Sequence, residues 1–111
     1  MSYSKPKFIK VLIVEAGKEP YPKEIPNTLE SLQSQVGGLI QALYLHDAAI
    51  ICNDEGKLLG LPWNRPLFDE DGQIYDVIAG TFLVAGLTED DFGSLTEEQI
   101  QKYTEMFHSF R

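Results

Sequence analysis

The chain has 111 residues, a formal net charge of −8 and one cysteine. This length is typical of one domain with a sizeable core, and the negative charge argues against non-specific binding to nucleic acid or to an anionic membrane surface. No apolar run approaches the roughly 18 residues of a membrane span, the N-terminus lacks the apolar block of a signal peptide, and a lone cysteine favours a reducing, cytoplasmic setting.

The chain begins with a polar segment, Met1–Lys7, which we expect to be frayed. Residues 8–111 are predicted to form a single domain. Phe8–Val14 is rich in β-branched residues, which predicts a central strand. Tyr21–Ile25 is predicted as a short edge strand, because prolines within and beside it exclude a central position in a sheet.

A first helix is predicted over Thr28–Val36. Asn27 is a suitable N-cap, and Glu30, three residues later, can complete a capping box. The glycines that follow Val36 end the helix, since glycine readily adopts the left-handed cap conformation. Three apolar residues then share one helical face: Leu29, Leu32 and Val36.

The next three predicted strands are Leu39–Leu45, Ala48–Cys52 and Lys57–Leu61. A turn at Asn53–Gly56 joins the last two, and Gly56 can supply the positive φ that such a turn needs. Two further apolar runs, Gln73–Ala79 and Thr81–Leu87, meet at Gly80. This glycine predicts a bend inside one strand or a break between two.

A second helix is predicted from about Glu97 to His108. Thr96 and Gln99 have the spacing of a capping box, and Leu95 and Ile100 that of a hydrophobic staple. The two short helices and the strands joined by short turns predict an α+β domain with a mostly antiparallel sheet of five to seven strands.

Residue sets that support catalysis or bind cofactors are weakly represented. The sequence has no glycine-rich phosphate loop. Cys52 has no partner at metal-ligand spacing, so we expect a small buried hydrophobe, no metal and no cofactor. His46-Asp47 is compatible with an oriented base, but such a pair is more often the tip of a hairpin. An enzyme, such as a small hydrolase, is the least favoured class.

Acidic residues recur in groups along the chain, for example at Asp69–Asp71 and Glu89–Asp91. Such groups usually form solvated loops and helix starts. A more specific alternative is that they imitate the phosphates of DNA and inhibit a DNA-binding host protein.

The segment Gly60–Arg65 contains the only tryptophan of the chain. Prolines at 62 and 66 stiffen it and argue against a regular strand. A rigidly held Arg65 would grip a phosphate or carboxylate in a forked geometry, and Trp63 would stack on a base or fit a protein interface. The predicted ligand- or partner-binding residues are Gly60, Trp63, Asn64, Arg65 and Thr81.

A structural interpretation of the same segment competes with this hypothesis. Trp63 would fill the core, Asn64 would bond to backbone, and Arg65 would form an internal ion pair with Asp76.

Four blocks carry a family resemblance: Val36–Gly38, Asn53–Pro62, Asn64-Arg65 and Ile74–Phe82. They resemble domain of unknown function 3846, an uncharacterised family of small acidic domains of phages, plasmids and conjugative elements. The likeness extends from Lys10 to Phe107. Leu39 stands where the family has an aromatic, Gln41 where it has an acid, and Trp63 at a variable position. The resemblance implies a genomic setting but no mechanism.

The resulting prediction is a non-enzymatic binding protein, an accessory or counter-defence factor of a phage or mobile element. Its partner would be a host protein or a nucleotide ligand, bound at the Gly60–Arg65 segment without a cofactor. An acidic DNA mimic is the alternative. The sequence leaves the oligomeric state open.

Overall fold

A computed structural model describes residues 7–108. Within this range the chain forms eight strands and two helices, in the order β1 (Phe8–Val14), β2 (Tyr21–Pro26), α1 (Leu29–Val36), β3 (Ile40–Tyr44), β4 (Ala48–Asn53), β5 (Trp63–Phe68), β6 (Ile74–Ala79), β7 (Phe82–Leu87), β8 (Phe92–Gly93) and α2 (Glu97–Met106). Of the segment predicted to be frayed, residues 1–6 lie outside the described range. The Lys7 carbonyl accepts a hydrogen bond from the Asn27 N–H at 2.8 Å.

Six of these strands form one antiparallel sheet. Its order is β2-β1-β7-β4-β3, and β8 pairs with β7. β1 is therefore an inner strand and β2 an edge strand, as predicted. β5 and β6 form a separate antiparallel hairpin. The predicted α+β class with a mostly antiparallel sheet is confirmed.

One face of the sheet is covered by α1. Leu32 of this helix belongs to the same buried cluster as Ile51 of β4 and Leu83 of β7, two strands that α1 contacts. The helix ends at Gly37, whose N–H bonds to the Gln33 carbonyl at 2.8 Å, as predicted for a glycine cap.

The start of α1 differs from the prediction by one residue. Thr28, not Asn27, is the N-cap, and its side chain accepts from the Ser31 N–H at 3.1 Å. Leu29 is then the first helical residue, and side chains at that position lean towards the helix N-terminus. Leu29 is consequently exposed, whereas Leu32 and Val36, predicted to share its helical face, are buried.

The other face of the sheet is covered by α2 and the β5–β6 hairpin. Tyr103 and Phe107 belong to the same buried cluster as Leu67 and Ile78 of the hairpin. The rings of Phe82 and Phe107 meet edge to face, with centroids 5.2 Å apart.

The predicted capping box of α2 is confirmed. The Thr96 side chain accepts from the Gln99 N–H, and the Gln99 side chain accepts from the Thr96 N–H. The helix ends at Met106, two residues before the predicted end at His108.

The stretch around the prolines departs most from prediction. Lys57–Leu61 is not a strand, and Trp63–Phe68 is one, despite Pro66. Within residues 7–108, β5 pairs only with β6, and its register shifts between Trp63 and Arg65. A strand with an unpaired edge and an irregular ladder tolerates proline.

Candidate functional site

Residues 54–60 form a turn. It contains most of the predicted turn Asn53–Gly56 and takes the place of the predicted strand Lys57–Leu61. The Leu59 N–H donates to the Glu55 carbonyl at 2.9 Å, and the Gly60 N–H donates to the Lys57 carbonyl at 3.2 Å. Asn53 starts the turn, because its Oδ1 accepts from the Glu55 N–H at 2.8 Å. This side-chain cap offers the backbone a local alternative to strand pairing.

Two glycines fix this turn against the β6–β7 junction. Gly56 lacks the predicted positive φ; a Cβ there would lie 2.6 Å from the Ala79 carbonyl oxygen, so glycine is required for close approach. Gly80 has φ +88°, and a Cβ on it would lie 2.7 Å from Leu61 Cδ1. The Gly80 N–H also donates to the Pro62 carbonyl at 2.7 Å. Gly80 therefore lies against the Leu61-Pro62 part of this segment.

Arg65 is buried, with 8% of its surface exposed. Its Nε donates to the Phe107 carbonyl at 2.9 Å, and one terminal nitrogen donates to the Lys18 carbonyl at 2.5 Å. The other donates to Asn64 Oδ1 at 2.7 Å and to the Glu15 carbonyl at 3.5 Å. Burial lowers the pKa of the guanidinium, and the charge of Glu19 opposes that shift.

These contacts correct two expectations about Arg65. The guanidinium does not stand open to a phosphate or carboxylate ligand, because oxygens of the chain accept its hydrogen bonds. The alternative of an Arg65–Asp76 ion pair is also wrong, since Asp76 pairs with Lys57 at 2.5 Å. That contact is the main cause of the lowered pKa of Asp76. Arg65 instead joins the β1–β2 turn to the end of α2.

Asn64 is half-buried and completes this internal network. Its Nδ2 donates to the carbonyls of Val14 and Gly80, each at 2.9 Å. Its Oδ1 accepts from Arg65. A direct contact of this amide with a base or sugar would require replacing these bonds, so the structural interpretation holds for Asn64.

Trp63, by contrast, does not fill the core. It is 65% exposed, and on the preceding turn Leu58 is 87% exposed and Leu59 60% exposed. We call these three side chains the apolar patch. Gly60, at φ +69°, separates the turn from the strand that carries Trp63. Thr81 follows Gly80 and is half-buried.

A cleft of about 380 Å³ lies beside the apolar patch. Leu58 and Lys57 form part of its wall, together with Cys52 and Gln41 of the sheet. Three carboxylate residues line it as well: Asp54, Glu55 and Asp76. The side of the patch next to the cleft is therefore predominantly acidic.

Sequence reasoning missed Leu58 and Leu59 as exposed residues, because the run Lys57–Leu61 has the composition of a strand. One signal could have identified the turn. Glycines at 56 and 60 enclose only three residues, which is short for a strand, and Asn53 is a good cap.

Cys52 is buried, as predicted. Its thiol donates weakly to the Gln41 carbonyl at 3.8 Å, and burial raises its pKa.

His46 and Asp47 form the tip of the β3–β4 hairpin, again as predicted. The Asp47 carboxylate accepts from the Tyr103 hydroxyl and from Gln99 Nε2 at 3.1 Å. The Tyr103 hydrogen bond is the main cause of its lowered pKa. Asp47 thus attaches the hairpin tip to α2, a role that sequence reasoning missed.

Two acidic side chains, Asp69 and Glu97, have local structural roles. Asp69 Oδ1 accepts from the N–H groups of Asp71 and Gln73, each at 2.9 Å, which closes the β5–β6 hairpin. Glu97 lies 3.7 Å from the Lys10 ammonium. Among residues 7–108, no group of three His, Cys, Asp or Glu side chains is placed to hold a metal ion, and no helix in this range has the length and apolar content needed to span a membrane.

The fold and the site define a small α+β domain in which a buried arginine network supports an exposed apolar patch. The model of a family described as domain of unknown function (DUF3846) matches residues 9–108, and the chain belongs to that family. Searches of curated proteins and of solved structures gave no match. The matched range includes the patch, the cleft and Arg65.

Proposed function

We propose that this protein is a non-enzymatic binding protein whose ligand is another protein, contacted by the apolar patch. The observation that supports the proposal is the exposure of Leu58, Leu59 and Trp63 on a backbone fixed by Gly56, Gly80 and the Arg65 network. Tryptophan on a rigid support is among the residues that dominate protein interfaces.

A protein ligand is favoured over a nucleotide. Recognition of a phosphate at this segment would require Arg65 as the donor. The guanidinium of Arg65 already donates its hydrogen bonds to oxygens of the chain itself. The large exposed side chains, Leu58, Leu59 and Trp63, are apolar. The exposed cation of the turn, Lys57, is paired with Asp76 at 2.5 Å. The three apolar side chains suit a desolvated protein contact better than a charged phosphate.

The charge beside the patch further defines the partner. Asp54, Glu55 and Asp76 line the cleft, and Lys57 is the basic residue among them. The matching surface would present apolar side chains next to an arginine or lysine, which complements both the cleft and the net charge of −8.

The family resemblance supports the setting of the proposal. As a phage or mobile-element factor, the protein would act in the cytoplasm of a host cell, as an accessory or counter-defence protein that occupies a host protein. Binding of this kind needs no reacting groups and no cofactor.

The first experiment locates the contact. A photo-crosslinking amino acid replaces Leu58 or Trp63, and Leu29, an exposed leucine on α1, serves as the control position. We expect the same host protein to be crosslinked from positions 58 and 63 and not from 29. Crosslinking only from position 29 would place the contact elsewhere.

The second experiment measures affinity for the crosslinked protein by calorimetry. Leu58→Ser with Trp63→Ala should weaken binding at least tenfold, about 1.4 kcal/mol, and Leu29→Ser should not. Asp54→Lys with Glu55→Lys should slow association and reduce its dependence on salt. Unchanged affinity of a folded Leu58/Trp63 variant would refute the proposal.

The DNA-mimic alternative gains less support. It needs carboxylates free to face a basic protein, whereas Asp69 closes its own turn and Asp47, Asp76 and Glu97 each lie near a lysine. Its distinguishing result would be binding that is lost when Asp69–Asp71 or Glu89–Asp91 is neutralised and unaffected by changes in the patch.

A further inference from the structure

The two edges of the six-stranded sheet have very different sequences. The edge strand β2 contains Pro22, Pro26, Lys23 and Glu24, which are the residue types that prevent an edge from pairing with another chain. The opposite edge strand, β3, reads Ile-Gln-Ala-Leu-Tyr and has neither a proline nor a charge. The protection present on one edge is therefore missing on the other.

The hydrogen bonds at both ends of β3 show which of its backbone groups are unused. The Leu45 N–H donates to the Ala48 carbonyl, and the Leu39 carbonyl accepts from the Asp54 N–H, both at 2.8 Å. Bonded positions alternate along an antiparallel pair. The residues between these ends whose N–H and C=O groups point away from β4 are Ile40, Ala42 and Tyr44.

Residues 7–108 provide no strand on that side of β3. We propose that β3 of a second copy of this chain pairs there, antiparallel, about a two-fold axis at Ala42. Ile40 of each copy would lie opposite Tyr44 of the other, and Ala42 opposite Ala42. The three outward residues of each copy would then exchange backbone hydrogen bonds with the residue opposite.

The side chains of β3 suit a copy of itself. Ile40, Ala42 and Tyr44 lie on the α1 side, in register with Asn53, Ile51 and Ala49 of β4. Tyr44 is 68% exposed, and the two-fold arrangement would bring its ring against Ile40 of the second copy. Pairs of an aromatic and a β-branched residue are favourable across neighbouring strands.

The absence of charged side chains on β3 also favours this edge for self-association. Two copies with a net charge of −8 repel each other, and β3 is an edge at which they can approach without opposing charged side chains. The short contact is smaller than a standard interface, which predicts a weak dimer whose population rises with concentration. This inference does not rest on the proposed function.

Sedimentation velocity over a wide concentration range tests the dimer. The wild type should change from monomer to dimer as concentration rises, and Tyr44→Lys should raise the dissociation constant at least tenfold by placing like charges at the interface. Phe8→Lys is the matched control: it changes an exposed aromatic residue of β1, which β7 and β4 separate from β3, and it should leave dimerisation unchanged.

Proline substitution tests the backbone pairing. Ala42→Pro removes an N–H that points away from β4, so the fold should persist while the dimer is lost. Leu43→Pro removes an N–H directed at β4 and should destabilise the monomer itself.

Hydrogen exchange gives a second measurement on the unmodified protein. The amides of Ile40, Ala42 and Tyr44 should exchange more slowly as concentration rises, whereas those of Gln41 and Leu43 should be protected at every concentration. A wild type that stays monomeric at its solubility limit would overturn the inference. A dimer that tolerates both Tyr44→Lys and Ala42→Pro would overturn it as well.

Discussion

The stretch from residue 57 to residue 65 contains two parts with opposite environments. Leu58, Leu59 and Trp63 are exposed, whereas Asn64 and Arg65, next in the chain, donate their hydrogen bonds to carbonyls inside the molecule. The buried part holds the backbone that presents the exposed part. A rare cation in a proline-rich segment is thus a support for the surface rather than a component of it.

The largest effect should come from Arg65. Arg65→Ala leaves the carbonyls of Phe107 and Lys18 without their donor, and we expect a loss of about 3 kcal/mol in the free energy of unfolding. Urea denaturation measures it. Arg65→Lys keeps the charge but loses the forked geometry, so it should recover only part of the loss. If Arg65→Ala left the free energy of unfolding unchanged, the network would not stabilise the fold.

The second largest loss of stability should come from a substitution at Gly80. Gly80→Ala places a Cβ 2.7 Å from Leu61 Cδ1 at φ +88°, and we expect a loss of about 2 kcal/mol. Gly72→Ala is the matched control, because Gly72 has φ +78° with no atom within 4 Å of its added Cβ. That variant should lose only about 1 kcal/mol. Equal thermal shifts for both would show that contact with Leu61 is unimportant.

Asp47 should have the next effect in size. Arg65 bonds to the C-terminal end of α2, whereas Asp47 bonds to Gln99 and Tyr103, nearer the start of that helix. Asp47→Asn should cost about 1 kcal/mol at neutral pH, because Tyr103 and Gln99 then lose a charged acceptor. The folded state lowers the pKa of Asp47 from its ordinary value of 3.8. Its contribution is therefore present above that value and lost as pH falls through the lowered pKa.

Stability curves of wild type and Asp47→Asn should accordingly converge below about pH 4. A constant difference across the acid range would attribute the effect to packing instead of charge. Tyr103→Phe, which removes the hydroxyl alone, should reduce the effect of Asp47→Asn on stability when the two substitutions are combined in a double-mutant cycle.

The smallest effect on stability should come from the patch. Leu58→Ser and Trp63→Ser should each change the free energy of unfolding by no more than about 0.5 kcal/mol, because the side chains they remove are largely in solvent. A much larger loss on thermal denaturation would show that these side chains pack against the domain and would weaken their assignment to binding.

Sequence patterns predicted the elements with clear hydrophobic periodicity and caps. β1, β4, β7 and α2 appear where β-branched runs and the Thr96–Gln99 capping box place them. The environment of Arg65 was not predictable in this way, since its partners at Phe107, Lys18 and Glu15 are distant in the chain and are backbone carbonyls. Such acceptors have no residue-type signal.

For the same reason, the sequence predicted only some of the exposed residues of the candidate site. The sequence pointed to the Gly60–Arg65 segment, but it could not separate the exposed Trp63 from the buried Arg65, because exposure depends on how the hairpin packs. Leu58 and Leu59 were read as strand residues, since Asn53 capping and the Gly56–Ala79 contact emerge only in three dimensions. The eighth strand, of two residues, is too short to produce a pattern.

The single thiol of the chain offers a built-in reporter of local opening. Cys52 lies on β4, shielded from solvent, with its sulfur directed at the Gln41 carbonyl of β3. Cys52 lines the cleft next to Leu58 but is only 5% exposed, so an alkylating reagent needs a local opening of β3 or of the turn at residues 54–60. The rate of labelling therefore reports local opening around this thiol, and labelling that slows as the protein is concentrated would indicate that a second copy protects β3.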